Sequence, residues 1–159
     1  MKMTKERVVN LVLDYYVRQK NQFGIENTGE CRYRTDGNDC RYCAIGFLAS
    51  KSRNSDKFFE KNNDNSDYQS VAVIGREIFR YIYMEPNKEN IKFLGDVQDI
   101  HDRFAVLHQR CPELEFDVCK NYSPKITDAN GRNFVEAMNH LIKDSRDKWR
   151  NRLMNGLKD

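Results

Sequence analysis

The chain has 159 residues, 39% apolar and 32% charged, which is the length of one domain with one hydrophobic core. Nine Phe, eight Tyr and one Trp supply large side chains for that core despite a mean hydropathy of −0.84. The sequence holds no run of about 18 apolar residues that a membrane span would need, and its net charge of only +3, with basic residues spread along the chain, disfavours duplex-DNA binding. A small anionic ligand needs only three or four well-placed cations and stays open. The charged opening MKMTKERVVNLVLDYYVRQK lacks the apolar stretch of a secretion signal. Five cysteines, an odd number, then point to free thiols in a reducing cytoplasm.

In chain order, Thr4 is the expected N-cap of a first helix, with Glu6 near the positive end of its dipole. Val8, Leu11, Val12, Tyr15 and Tyr16 recur at helical spacing to about Gln19, and Phe23-Gly24 ends the run. Asp36-Gly37 between two β-compatible runs predicts a hairpin, with strands near 31–35 and 39–43 and a helix or further strand from Ala44. Residues 50–67 are polar and turn-rich, which predicts a mobile loop anchored by Phe58-Phe59. Val71, Ile74, Ile78 and Ile82 predict a helix running through Gly75 and stopped by Pro86. A second helix from about Asn87 to Arg110 carries Phe93, Val97, Ile100, Phe104 and Leu107 on its core face, and Pro112 stops it. Residues 112–124 are ambiguous. A last helix, about 129–154, has Phe134, Met138, Leu141, Ile142 and Trp149 in register. The expected fold class is α+β: a helix-rich single domain, 1–159, with a small β-hairpin or sheet.

The chemistry concentrates in Cys31–Leu48, where Cys31, Cys40 and Cys43 follow C-x8-C-x2-C among Arg32, Arg34, Arg41, Tyr33 and Tyr42. Three readings compete. Cys40-x2-Cys43 has knuckle spacing for zinc, with Cys31 and His101 or His108 as completing ligands, against plain buried thiols. Cys43 at a helix start, with His101 as base, would make a nucleophile. Asp102, adjacent to His101 on a helix and therefore turned about 100° away, is not expected to orient that base, and a histidine beside the Val97–Phe104 stripe more often serves the core margin. The third reading is ligand capture. Arg32, Arg34 and Arg41 offer guanidinium forks for phosphate, and Tyr33 and Tyr42 offer rings for base stacking. Strand alternation puts Arg32 and Arg34 on one face and Tyr33 on the other. His101 and Asp102 from the long helix, and Arg146 and Arg150 one turn apart on the last, complete the candidate ligand-binding set. No P-loop, dinucleotide fingerprint, HExxH or GxSxG motif is present.

CRYR, a Gly-bearing turn, CAIGFL and the later VQDIHD resemble a set of small phage and bacterial proteins with C-x-Y-R, C-A-[IV]-G-x-L and a downstream L-Q-x-[IL]-H-D helix. Cys31, Tyr33, Arg34, Cys43, Ala44, Ile45, Gly46 and Leu48 match the first part. Gln98, Ile100, His101 and Asp102 match the second, with Val97 where Leu is usual. The resembling proteins have no counterpart of Cys40, which weakens the zinc reading. The resemblance implies a phage or prophage setting, hence the host cytoplasm, and a specialised hairpin; it implies no reaction.

The expected function is a phage-type, non-enzymatic binding protein that captures an anionic small molecule, most specifically a cyclic or ADP-ribose-derived nucleotide signal of bacterial immunity. The alternatives are a thiol-dependent hydrolase or transferase using Cys43 and His101, and a protein–protein inhibitor of a host enzyme. No cofactor is expected, zinc being the alternative. The broad stripe of the last helix predicts a homodimer or larger homo-oligomer.

Overall fold

Asn87 starts the longest helix: its side-chain oxygen accepts the Asn90 amide, and the helix then runs Lys88–Gln109. In this computed structural model, which describes residues 1–26, 29–35, 40–64, 70–111 and 121–143, the other elements pack on that helix or its neighbours. They are α1 (Lys5–Leu13), α2 (Ala44–Ser50), α3 (Ser55–Phe59), α4 (Val71–Ile74), the long helix as α5, and α6 over 134–143. No helix among the described residues is long and apolar enough to cross a membrane.

Thr4 caps α1 as expected, its side chain accepting the Arg7 amide. A wider π-turn, Asp14–Arg18, continues α1, and the Gln19 amide reaches back to the Asp14 carbonyl at 2.9 Å. That turn sends Tyr16 into the core and lays Tyr15 on Phe47, ring centroids 4.0 Å apart.

The α+β expectation is corrected. Among the described residues there is no strand or sheet, only two isolated antiparallel bridges, Ile25 with Cys31 and Arg34 with Tyr42. The fold is all-α there. The two runs predicted as strands do meet: Thr35 N–H donates to the Arg41 carbonyl at 2.8 Å, and Cys43 N–H to the Tyr33 carbonyl at 3.1 Å. Among the described residues the ladder is one pair long, for local reasons. The Arg41 amide bonds the Thr35 hydroxyl, and Cys43 becomes the N-cap of α2. The Asp36-Gly37 turn lies outside the described residues.

Three further boundaries differ from the periodicity. The stretch read as a loop is helical over Ser55–Phe59 and continues as a π-turn, Glu60–Asp64, because Phe58 and Phe59 are both buried. The helix expected to pass through Gly75 divides there: Gly75 has φ +59°, and a 3₁₀ stretch Gly75–Arg80 follows. The last helix begins at 134, not 129. Asp128 Oδ1 first accepts the Asn130 and Arg132 amides in a turn, and Asn133 and Glu136 then form a reciprocal capping box. Pro112, Cys119, Arg146, Trp149 and Arg150 lie outside the described residues.

The core centres on Tyr16, Phe23, Phe104 and Phe134, all essentially inaccessible. Phe134 and Met138 of α6 are wholly buried, and Leu141 and Ile142 lean on the same cluster. Of the described part of the stripe that suggested an oligomer, Phe134 and Met138 are covered from within, and Leu141 and Ile142 stay partly exposed.

Candidate functional site

The two motifs singled out in the sequence meet in space. Gln98 hydrogen-bonds the Tyr33 phenol and, through Oε1, accepts the Val71 amide at 3.0 Å. His101 Nε2 accepts the Gly24 amide at 3.2 Å, where Gly24 lies against the Tyr42–Cys43 backbone. The Asp102 carbonyl is 3.8 Å from Cys31 Sγ. Three residues of one α5 face thus tie down the segments carrying Tyr33, Cys43 and Cys31.

Asp102 Oδ1 stands 2.9 Å from His101 Nδ1, which corrects the expectation that it would be turned away. Nδ1 lies close to its own backbone, so the short carboxylate of the next residue reaches it around the helix surface. With Nε2 accepting from a backbone amide, the ring proton sits on Nδ1 and is donated to Asp102. The nitrogen a general base would use is therefore engaged, and the ring is buried beside Tyr16 and Phe23.

The thiols occupy separate environments. Cys43 is wholly buried, its Sγ accepting the Gly46 amide at 3.3 Å as the cap of α2. Burial, with the Asp102 charge adding, pushes its pKa well above the ordinary thiol value, against the usual effect of a helix start. Burial and the same carboxylate push the Cys31 thiol up. Cys40 is exposed. Among the described residues no three His, Cys, Asp or Glu are grouped to hold a metal, so Cys31, Cys40 and Cys43 do not converge. With iodoacetamide at pH 7.5, Cys40 is expected to react first and Cys43 last, read by peptide mass mapping. Cys43 reacting ahead of Cys40 would restore the nucleophile reading.

The outer rim has a different character. Alternation holds: Tyr33 is buried against Phe58, and Arg32 and Arg34 face outward, each partly exposed. The Arg34 guanidinium lies 4.4 Å from the centroid of the Phe59 ring, with the Tyr42 ring 5.7 Å from the same platform. Arg32 approaches Glu30 at 3.8 Å, a weak surface pairing. Arg41 Nε is buried without a hydrogen-bond partner among the described residues. Burial raises the Tyr42 phenol, and Arg34 opposes that shift. Burial, with Tyr42 and Cys40 adding, pushes Tyr15 up to about 12. Lys51 sits 4.7 Å over Phe47, the ring on which Tyr15 stacks. The sequence reading missed Phe59, Tyr15, Phe47 and Lys51 as parts of this rim; the Phe58-Phe59 pair inside a polar run was the available signal. Arg146 and Arg150 lie outside the described residues.

No family model, no curated protein and no solved structure matches the chain.

Proposed function

We propose that the chain is a binding protein without turnover, and that it holds an anionic, nucleotide-derived small molecule at the rim of Arg34, Tyr42 and Phe59, with Arg32 and Arg41 beside it. The observation that supports this reading is the Arg34 guanidinium lying on the buried Phe59 ring beside Tyr42. A guanidinium held on an aromatic face is pre-organised and weakly hydrated, so less is lost when its edge meets phosphate. Neighbouring rings suit a planar base. The thiol-enzyme reading is disfavoured by the burial of Cys43 and by the backbone amide on His101 Nε2. In the phage setting that the motif resemblance implies, the ligand is a cyclic or ADP-ribose-derived nucleotide signal, sequestered in the host cytoplasm.

Calorimetry and thermal shift against cyclic dinucleotides, ADP-ribose and mononucleotides test this. A true ligand at a hundredfold excess over its Kd adds about 2.7 kcal/mol of stability. Arg34→Ala is expected to weaken binding about tenfold or more, the worth of a charge-assisted hydrogen bond, with the fold retained. A flat response across the panel, or undiminished binding in an Arg34→Ala/Arg41→Ala variant, overturns the reading.

A further inference from the structure

α5 carries a second buried histidine with the same hydrogen-bond roles as His101. His108 Nδ1 lies 2.8 Å from the Phe104 carbonyl, one turn earlier, and His108 Nε2 accepts the Ser123 amide at 2.9 Å. A carbonyl only accepts, so the proton is on Nδ1, and the Nε2 lone pair holds Ser123. Ser123 belongs to the segment that leads through Asp128 into α6.

The surroundings of the two histidines differ in charge. His101 has the Asp102 carboxylate on Nδ1. Around His108, α5 contributes the Phe104 carbonyl and ring, the 21–26 segment contributes the Phe23 ring, and the 121–126 segment contributes the Ser123 amide and the Tyr122 ring. From α6, the Glu136 charge acts on the Tyr122 phenol. Among the described residues no carboxylate is hydrogen-bonded to the His108 ring. Among the described residues an imidazolium at 108 would be buried with no carboxylate bonded to it, and its Nε2–H would point at the Ser123 N–H.

We infer that His108 is an acid-released latch: a proton on Nε2 breaks its bond to Ser123 and frees the 121–126 segment in front of α6. The rest of that connection is held by Tyr122 and Ile126, which pack against the core, and at its far end by an ion pair between Asp128 and a half-exposed Arg103, 3.8 Å apart, which is weak by itself. Burial lowers the His108 pKa from its ordinary 6.5. The folded form therefore binds the proton less readily than the unfolded form, and the contribution of the latch is complete above the ordinary value. It is lost as pH falls below that value and through the lowered one.

Hydrogen exchange of the Ser123 amide in the full chain, followed by NMR from pH 7.5 to 5.5, tests the latch. The protection factor, corrected for intrinsic exchange, is expected to fall about tenfold per pH unit once below the ordinary histidine value. His108→Gln, whose Oε1 supplies an acceptor that gains no proton, is expected to keep protection at pH 7.5 and to flatten its pH dependence. Should that variant fail to fold, the imidazole ¹⁵N shifts of the unaltered protein decide: the Nδ1–H tautomer at pH 7.5 supports the latch, and the Nε2–H tautomer overturns it. Ser123 protection that stays constant to pH 5.5, or a pH dependence unchanged in His108→Gln, also overturns it.

Discussion

Gly46→Ala is expected to lower stability by more than about 3 kcal/mol, a fall in Tm of roughly 6–12 °C for a chain of this size. A Cβ at 46 would lie 1.9 Å from the Tyr33 carbonyl oxygen and 2.6 Å from its carbon. Both atoms are backbone, so no rotamer change relieves the clash. The Tyr33 segment would have to lift off α2, lengthening the 3.1 Å bond from the Cys43 amide and drawing the buried Tyr33 ring from Phe58. Gly95 is the control. It sits inside α5 with nothing within 4 Å of a Cβ, and Gly95→Ala should stabilise by about 0.5–1 kcal/mol through helix propensity alone. Thermal melts of both variants read the contrast. A Gly46→Ala melt within about 2 °C of the unaltered protein would mean that α2 and the Tyr33 backbone do not cross this closely.

Signals carried within one turn of chain were legible. Thr4, the α5 periodicity from Phe93 to Phe104 and the end of the first helix near Gln19 need only neighbours a few residues away, although the chain turns at Lys20, φ +56°, ahead of the expected break at Phe23-Gly24. The alternation that buries Tyr33 and turns Arg32 and Arg34 outward was also readable, yet the strands it suggested shrink to one bridge. Whether a β-ladder propagates depends on where each amide finds its acceptor and on whether the chain stays extended; here the Thr35 hydroxyl takes the Arg41 amide, and the chain turns into α2 after Cys43. Gly75 was invisible to periodicity because Val71, Ile74, Ile78 and Ile82 stay in register while the backbone changes hand at φ +59°. The candidate site followed the same division. Arg34 and Tyr42 could be singled out by residue type, but the ring beneath Arg34 comes from Phe59, in a stretch that reads as loop. Nor could His101 be assigned its partner: the Gly24 amide is 77 residues away, and no local pattern announces that a backbone donor will use the lone pair a catalyst would need.

The aromatic junction where α6 meets α5 should tolerate truncation worst of all. Phe134→Ala is expected to lose about 3–5 kcal/mol, a large share of the roughly 5–15 kcal/mol a domain possesses. The ring is fully buried and stands nearly perpendicular to Phe23, 5.3 Å away, and to Tyr16, 5.8 Å away, with Phe104 at 5.7 Å. Such edge-to-face contacts add to the area term and need a ring. Phe134→Leu, which keeps most of the volume, should therefore lose less, about 1–1.5 kcal/mol. Urea titrations with an unchanged m-value would place both losses in the native state. Because Phe23 faces Phe134 across the cavity that truncation opens, Phe23→Ala and Phe134→Ala should couple by about 0.5 kcal/mol or more, whereas Gly95→Ala, outside the cluster, should simply add. If Phe134→Ala loses less than about 1 kcal/mol, α6 packs on this core without stabilising it, and the junction is not the keystone of the fold.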